Sequence, residues 1–349
     1  MMENMKNKPL QIAIIGAGFS GLALAHSLLS HSSALCEVSI FHKDPITQSA
    51  SAVAAGLLHP FPSAKKKRSL EGLQALHAAV TLLDAAQKFS PEKLFIKKPI
   101  LKLALNDEEK RQWSHLARKY DNLRFITPEK VSEKIQTKGL FYALEIDQGY
   151  QVYCQKYLQA LHALCQHLGA KFIQKEVDFE DDFSMFDHVI FCHGYGFRKS
   201  KNLSTFGFVK GQILTCKVPS ALTSAPLIAN GYICPSDNPL IYLFGSTYEH
   251  RFSNEMPNRS LAFEKIIPPW QKIFPDLKNI EVLDCQAGVR VMHVPKYLPL
   301  IKKIKTNQFL FTALGSKGLL YHSYLAKALA DYLITKQMPR ISHEFFSLH

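Results

Sequence analysis

Gly16-Ala17-Gly18-Phe19-Ser20-Gly21 sets glycines at the first, third and sixth positions of a hexapeptide, a spacing suited to cradling a pyrophosphate. Gly16 permits the tight turn, Gly18 lets the backbone approach the phosphates, and Gly21 lets a helix pack closely on the strand before it. The N–H groups at the helix start then face the anion. The flanking residues supply the frame this chemistry needs. An apolar run from Ile12 to Ile15 precedes the turn, and Leu22, Ala25, Leu28 and Leu29 follow at helical spacing. The plainer reading is a glycine turn in an ordinary parallel sheet; the strand–turn–helix order favours a dinucleotide site.

The second strand of such a unit reads Glu37-Val38-Ser39-Ile40-Phe41. Where an acidic residue should meet the ribose hydroxyls, the chain has His42, then Lys43 and Asp44. His42 still offers a hydrogen bond to a ribose, and Asp44 offers a substitute carboxylate through the turn. A cationic strand end also suits a 2′-phosphate. The identity of the nucleotide must therefore come from other segments.

The 349 residues, 47% of them hydrophobic, suffice for one large or two intimately joined domains. Seven cysteines (Cys36, Cys154, Cys165, Cys192, Cys216, Cys234 and Cys285) form no CxxC pair and no metal spacing with histidine, so a reduced compartment and no metal are expected. No signal-peptide pattern and no span of bilayer length is present, which predicts a cytoplasmic protein. The formal charge of +13 suits a polyanionic partner such as nucleic acid, a bias that basic proteomes also produce. Lysine clusters stand at Lys65-Lys66-Lys67-Arg68, Lys97-Lys98, and Lys302-Lys303 with Lys305; the commoner reading of each is a solvated face.

Helices are predicted over 70–88, 107–120 and 153–168, the last with Tyr153, Tyr157, Leu158, Leu161, Leu164, Cys165 and Leu168 on one face and Gly169 as its stop. Strands are predicted at Lys171–Val177 and His188–Cys192. From residue 207 the texture is β, at Phe208-Val209, Gln212–Val218, Tyr232–Cys234 and Leu240–Phe244. The end returns to a strand at Phe309–Thr312, a turn at Gly315-Ser316-Lys317-Gly318, and a helix from about Tyr321 to Ile334. The fold class is α/β with α+β character: a discontinuous Rossmann-like domain interleaved with a β-rich one.

The chain resembles the D-amino-acid-oxidase-like (DAO) superfamily of FAD-dependent amine oxidases, from Ile12 to Leu333. Within it, the chain is most similar to the oxidase half of the bifunctional tRNA 5-methylaminomethyl-2-thiouridine biosynthesis enzymes. Ala50-Ser51 and Ala55-Gly56-Leu57-Leu58-His59-Pro60 resemble the segment that passes the flavin. Val177 falls where a backbone group meets the adenine, and Cys192-His193-Gly194 where a second glycine-bearing turn is expected. Lys210-Gly211-Gln212, Asn230-Gly231-Tyr232-Ile233-Cys234-Pro235 and Gly245-Ser246-Thr247-Tyr248-Glu249 resemble further family segments, as does Ala287-Gly288-Val289-Arg290. Leu314-Gly315-Ser316-Lys317-Gly318-Leu319 is closer to the turn of the tRNA oxidases than to that of the small-amine oxidases. The departures are His42 and the Val-Met-His-Val-Pro run after Arg290, where the family carries an acid.

The resemblance implies non-covalent FAD bound by residues 8–60, 150–206 and 285–345, with residues 61–149 and 207–284 forming the substrate domain. FAD is preferred to NAD or NADP because a nicotinamide enzyme would need neither the Ala50–Gly56 segment nor a C-terminal turn returning to the site. The flavin carries the redox chemistry and the protein supplies orientation. Arg290 is the implied carboxylate anchor, its guanidinium offering two parallel hydrogen bonds; the alternative is a structural ion pair. Tyr232 either donates to the same carboxylate or packs at a strand start. Lys317 either lies over the flavin or points to solvent, leaving the Gly315–Leu319 backbone to face the cofactor. His59 is expected to be packed and not a covalent flavin ligand.

The implied activity is oxidation of 5-carboxymethylaminomethyl-(2-thio)uridine in tRNA to the 5-aminomethyl form with release of glyoxylate. O2 is the implied electron acceptor, and any methylation falls to a separate methyltransferase. The alternatives are a free glycine, sarcosine or D-amino-acid oxidase, and a non-catalytic flavin- or tRNA-binding protein.

Overall fold

The computed structural model describes residues 8–31, 35–61, 68–137, 139–199 and 205–347. The lysines of the 65–67 cluster lie outside these. The central parallel strand Leu10–Ile15 is buried along its last four residues, as expected where helices or loops cover both faces of a sheet. It pairs in parallel with Cys36–His42 on one side and His188–Phe191 on the other. Lys171–Gln174 extends the first side; Gln308–Thr312, Leu300–Lys305 and Phe346–Ser347 extend the second, giving seven strands.

The glycine turn leads from the first strand into the helix Phe19–His31. Its ends are tied to both neighbouring strands: Gly16 N–H donates to the Phe41 carbonyl at 2.8 Å and Cys192 N–H to the Ile15 carbonyl at 2.7 Å. Gly16 has φ +114°, and a Cβ there would stand 2.7 Å from the Cys192 carbonyl oxygen. The helices Phe19–His31, Gly72–Gln87, Cys154–His167 and Gly318–Thr335 pack together over one face of the sheet. On the other face Ala13, Ile15, Val189 and Phe191 meet Phe183 and Phe197.

The second sheet has eight strands, with Glu281–His293 at one edge beside Phe206–Lys217. Ile241–Gly245, Gly231–Pro235, Leu227–Ala229, Ile100–Leu103, Ala143–Ile146 and Leu123–Ile126 follow in that order. Only the Leu227–Ala229 pairing with Ile100–Leu103 is parallel among these ladders. The helix Arg259–Gln271 covers one face through Ala262, Ile266, Ile267 and Trp270. A three-stranded sheet of Leu57–Leu58, Tyr150–Val152 and Phe95–Lys97 lies beside these two.

The mixed parallel and antiparallel architecture agrees with the α/β reading. The helices expected over 70–88, 107–120 and 153–168 occur as Gly72–Gln87, Asp107–Lys119 and Cys154–His167. The strand Lys171–Gln174 stops before Val177, and the last helix begins at Gly318 instead of Tyr321. Phe208-Val209 and Gln212–Val218, read as separate strands, form one continuous strand because Lys210 and Gly211 remain in the ladder. Among the described residues no helix is long and apolar enough to cross a membrane. All seven cysteines are free, six of them buried.

Candidate functional site

Two cavities meet where the sheets approach one another. The larger, about 690 Å³, runs past the C-terminal ends of the parallel strands and is lined by Gly16, Ala17, Gly18, His42, Val177 and Gly194 among others. The smaller, about 350 Å³, is lined by Phe19, Ser20, Gly56, Leu57, Tyr232 and Arg290, and by Gly315, Ser316, Gly318 and Leu319 of the last turn. Gly18, Ala50, Ser51, Val53, Cys192, Gly194, Gly288 and Val289 line both and so mark the passage between them.

The wall of that passage is braced at the helix start. Phe19 N–H donates to Ser51 Oγ at 3.2 Å, so the Ala50-Ser51 segment supplies a hydrogen-bond acceptor to the first turn. No acidic side chain occupies that turn, which leaves the positive end of the helix dipole available to an anion. At the outer end His42 Nδ1 is 3.2 Å from the Asp44 carbonyl oxygen, and both residues line the larger cavity. The joined cavities thus combine a glycine cradle, a helix N-terminus and an elongated groove, which fit a dinucleotide.

Gly21 and Lys317 line neither cavity. Gly21 acts in packing: a Cβ there would stand 1.9 Å from the Gly16 carbonyl oxygen. Lys317 Nζ donates to the Tyr297 carbonyl oxygen at 2.9 Å, so its ammonium is turned to the protein's outer loop.

Arg290 lies opposite Val209 in the ladder between Glu281–His293 and Phe206–Lys217. Its Nη2 is 3.4 Å from the Thr247 carbonyl oxygen and its Cζ is 5.3 Å from the centre of the Tyr248 ring. Among the described residues no carboxylate pairs with it, so the structural ion pair weighed from sequence is absent. Gly211 makes room for the guanidinium: a Cβ there would stand 2.7 Å from Nη2.

Beneath Arg290 lies a buried polar network that the sequence motifs alone did not disclose. Thr247 Oγ1 accepts from Gln212 N–H at 2.9 Å and donates to Glu249 Oε1 at 2.5 Å. Gln212 Nε2 donates to the same oxygen at 2.9 Å, while Lys210 Nζ donates to the Asn254 and Met256 carbonyls at 3.1 and 2.5 Å. Burial alone would raise the Glu249 carboxyl, but the Thr247 and Gln212 hydrogen bonds and the Lys210 charge hold it below its ordinary value. The Lys-Gly-Gln and Thr-Tyr-Glu residues therefore fix the loop whose carbonyl orients Arg290.

Tyr232 is paired opposite Gly245 and hydrogen-bonds with Ser246. Burial raises its hydroxyl well above the ordinary value despite the nearby Arg290 charge, so it remains a protonated donor. His59 also lines the smaller cavity. Its Nδ1 accepts from Phe61 N–H at 3.3 Å, and burial, aided by Lys102, lowers its imidazole to about 3. Thr312, the last residue of its strand, was not singled out from sequence. It lines the same cavity with a buried hydroxyl that has no hydrogen-bond partner among the described residues.

The helix after the last turn is held by a second buried pair. His322 Nδ1 lies 3.0 Å from the Leu319 carbonyl oxygen, which accepts its proton, leaving Nε2 to accept from the Tyr157 hydroxyl at 2.7 Å. Burial lowers the imidazole to about 4, consistent with this neutral tautomer. Phe19 packs on both rings.

The FAD dependent oxidoreductase (DAO) family matches residues 11–332. The chain belongs to that family. It is therefore an FAD-dependent oxidoreductase, and the joined cavities are where such a cofactor fits. A D-amino acid oxidase of Dugesia ryukyuensis is 26% identical over 324 residues, 90% of this chain and 91% of the relative. In structure, the chain is similar to glycine oxidase from Geobacillus kaustophilus, with TM-score 0.82, 19% identity, and coverage of 97% of this chain and 99% of that one. Iminodiacetate oxidase from Chelativorans sp. gives TM-score 0.77 and 16% identity, covering 97% of this chain and 100% of the other. These structural likenesses concern the fold.

Proposed function

We propose that this oxidoreductase oxidises the carbon–nitrogen bond of an N-substituted glycine, its carboxylate gripped by Arg290 and its N-substituent directed outward. The observation that carries this reading is Arg290 itself, a cavity-lining guanidinium without a carboxylate partner among the described residues. A guanidinium at the protein surface is readily hydrated; one in a cavity beside a protonated Tyr232 is a two-donor receptor for a planar anion. Bound FAD supplies the hydride acceptor, and the resulting imine hydrolyses to an amine and glyoxylate. No acidic residue lines the smaller cavity, so the substrate amine loses its proton to water before it binds productively.

The substrate we assign is the 5-carboxymethylaminomethyl group of a uridine in tRNA, which is an N-substituted glycine. The Gly315–Leu319 turn, the Asn230–Pro235 and Gly245–Glu249 segments, and the charge of +13 support it. O2 would reoxidise the cofactor, and a separate methyltransferase would act on the aminomethyl product. Nucleoside mass spectrometry of tRNA from a deletion strain tests this: the carboxymethylaminomethyl form should accumulate and the aminomethyl form fall. Unchanged levels of both would refute it.

A second reading is a free amino-acid oxidase. It is favoured by the likeness to the D-amino acid, glycine and iminodiacetate oxidases. Anaerobic bleaching of the flavin by glycine or sarcosine, compared with bleaching by tRNA that bears 5-carboxymethylaminomethyluridine, separates the two.

A further inference from the structure

Tyr248 is 55% exposed although its neighbours Thr247 and Glu249 are buried. Arg290 lies over its ring, His250 approaches it edge-on with centroids 5.0 Å apart, and its hydroxyl donates to Met292 Sδ at 3.2 Å. Met292 in turn pairs across an isolated bridge with Leu314, which lines the smaller cavity. The tyrosine therefore stands outward of the carboxylate anchor, held there by Arg290 over one face and by contacts on its edge.

Positive charge lies further along the chain. His293 follows Met292, and its imidazole is lowered first by burial and then by the charges of Lys296 and Lys302, which places both ammonium groups within electrostatic reach. Lys296 and Lys302 are exposed. Lys296 has a surface ion pair with Glu344 at 2.9 Å, of the kind that exchanges readily for another anion. From the cavity outward the carboxylate receptor is followed by an exposed aromatic ring, and the strand that carries both Arg290 and Met292 runs on toward Lys296. That order matches a carboxymethylamino group attached to a planar base that is itself attached to a phosphodiester chain.

We propose that Tyr248 is the platform on which the uracil ring of the substrate stacks, and that Lys296 and Lys302 take the phosphates beside it. This rests on the tRNA reading given above and adds the surface by which RNA is held. Exposed aromatic rings stack bases of any identity, and adjacent lysines give the binding its salt dependence.

The test uses the FAD-loaded enzyme, with an RNA stem-loop bearing 5-carboxymethylaminomethyluridine in its loop and sarcosine as the small comparison. Flavin bleaching is followed anaerobically. Tyr248→Ala should lower kcat/KM for the stem-loop by about 5- to 150-fold beyond any loss with sarcosine, and Tyr248→Phe should restore it. Lys302→Glu should weaken stem-loop binding and reduce the slope of log affinity against log salt by about one. Equal losses with both substrates in Tyr248→Ala would mean that the ring only braces Arg290, overturning the platform. Unaltered stem-loop oxidation in Tyr248→Ala, or an unaltered salt slope in Lys302→Glu, would also overturn it. A wild-type enzyme that the stem-loop fails to bleach refutes the tRNA reading itself.

Discussion

Gly211 and Arg290 lie diagonally across adjacent strands, so close that a methyl group on Gly211 would stand 2.7 Å from Nη2 of the guanidinium. The obstacle is the tip of a long side chain, so Gly211→Ala should fold and retain FAD. The arginine must swing away from the Thr247 carbonyl, however. We expect KM for carboxylate substrates to rise by roughly 10-fold, the cost of about one weakened charge-assisted hydrogen bond. Steady-state kinetics alongside flavin content checks this; an unchanged KM would show that Nη2 does not serve the substrate.

Replacing Arg290 is the stronger test. Arg290→Lys keeps the charge but loses the planar pair of donors. A loss of about 2–4 kcal/mol in transition-state binding, or roughly 30- to 1,000-fold in kcat/KM, is expected. Arg290→Ala should be worse with every carboxylate substrate. Flavin content and melting temperature should hardly move. Stopped-flow flavin reduction reads the effect, and wild-type rates in Arg290→Ala would place the carboxylate elsewhere.

The pH profile should belong to the substrate and not to a protein base. His59 is held neutral down to about 3, and Tyr232 stays protonated well above the ordinary phenol value. Below the amine pKa, kcat/KM should therefore climb about tenfold per pH unit as the neutral amine becomes more abundant, then level off. Among the described residues no carboxyl and no second imidazole lines the smaller cavity. A second inflection between about 6 and 7, near the ordinary histidine value, would reveal a protein base and contradict the reading.

Gly21 supports the cradle without touching its contents. Gly21→Ala drives a methyl group into the Gly16 carbonyl, whose position is fixed by strands on both sides. The helix must lift, at a cost of about 1–3 kcal/mol by analogy with other overpacked cores. Thermal melts of the apoprotein and FAD titration should both show the damage. A normal melting temperature would mean that the helix has a second seating.

The cradle was legible in sequence because its parts are local: strand, turn and helix lie within twenty residues, and each glycine has a steric reason. Arg290 and Tyr232 were legible through the segments around them. What escaped depends on contacts between distant residues. Lys210 was legible only as part of a family-like segment; that it is buried, with two backbone carbonyls from 254 and 256 solvating its ammonium, was not. The helix Arg259–Gln271 was not predicted; Pro268 and Pro269 lower its local propensity, and burial of Ile266, Ile267 and Trp270 outweighs that. The short strands Phe95–Lys97, Ile100–Leu103, Leu123–Ile126 and Ala143–Ile146 have too few residues for a periodic signal. Thr312 was silent because an unsatisfied hydroxyl is a property of its surroundings.

The passage between the two cavities is walled by Gly18, Ser51, Cys192 and Gly288, drawn from four well-separated stretches of chain. A polypeptide emerging from the ribosome completes its first Rossmann strand–turn–helix early, yet the cofactor compartment stays unfinished until the last strand and turn arrive. Biogenesis is thus ordered by topology: full-length synthesis comes first, long-range strand pairing next, and flavin loading last. A truncated nascent chain would carry the dinucleotide signature without the means to retain the dinucleotide.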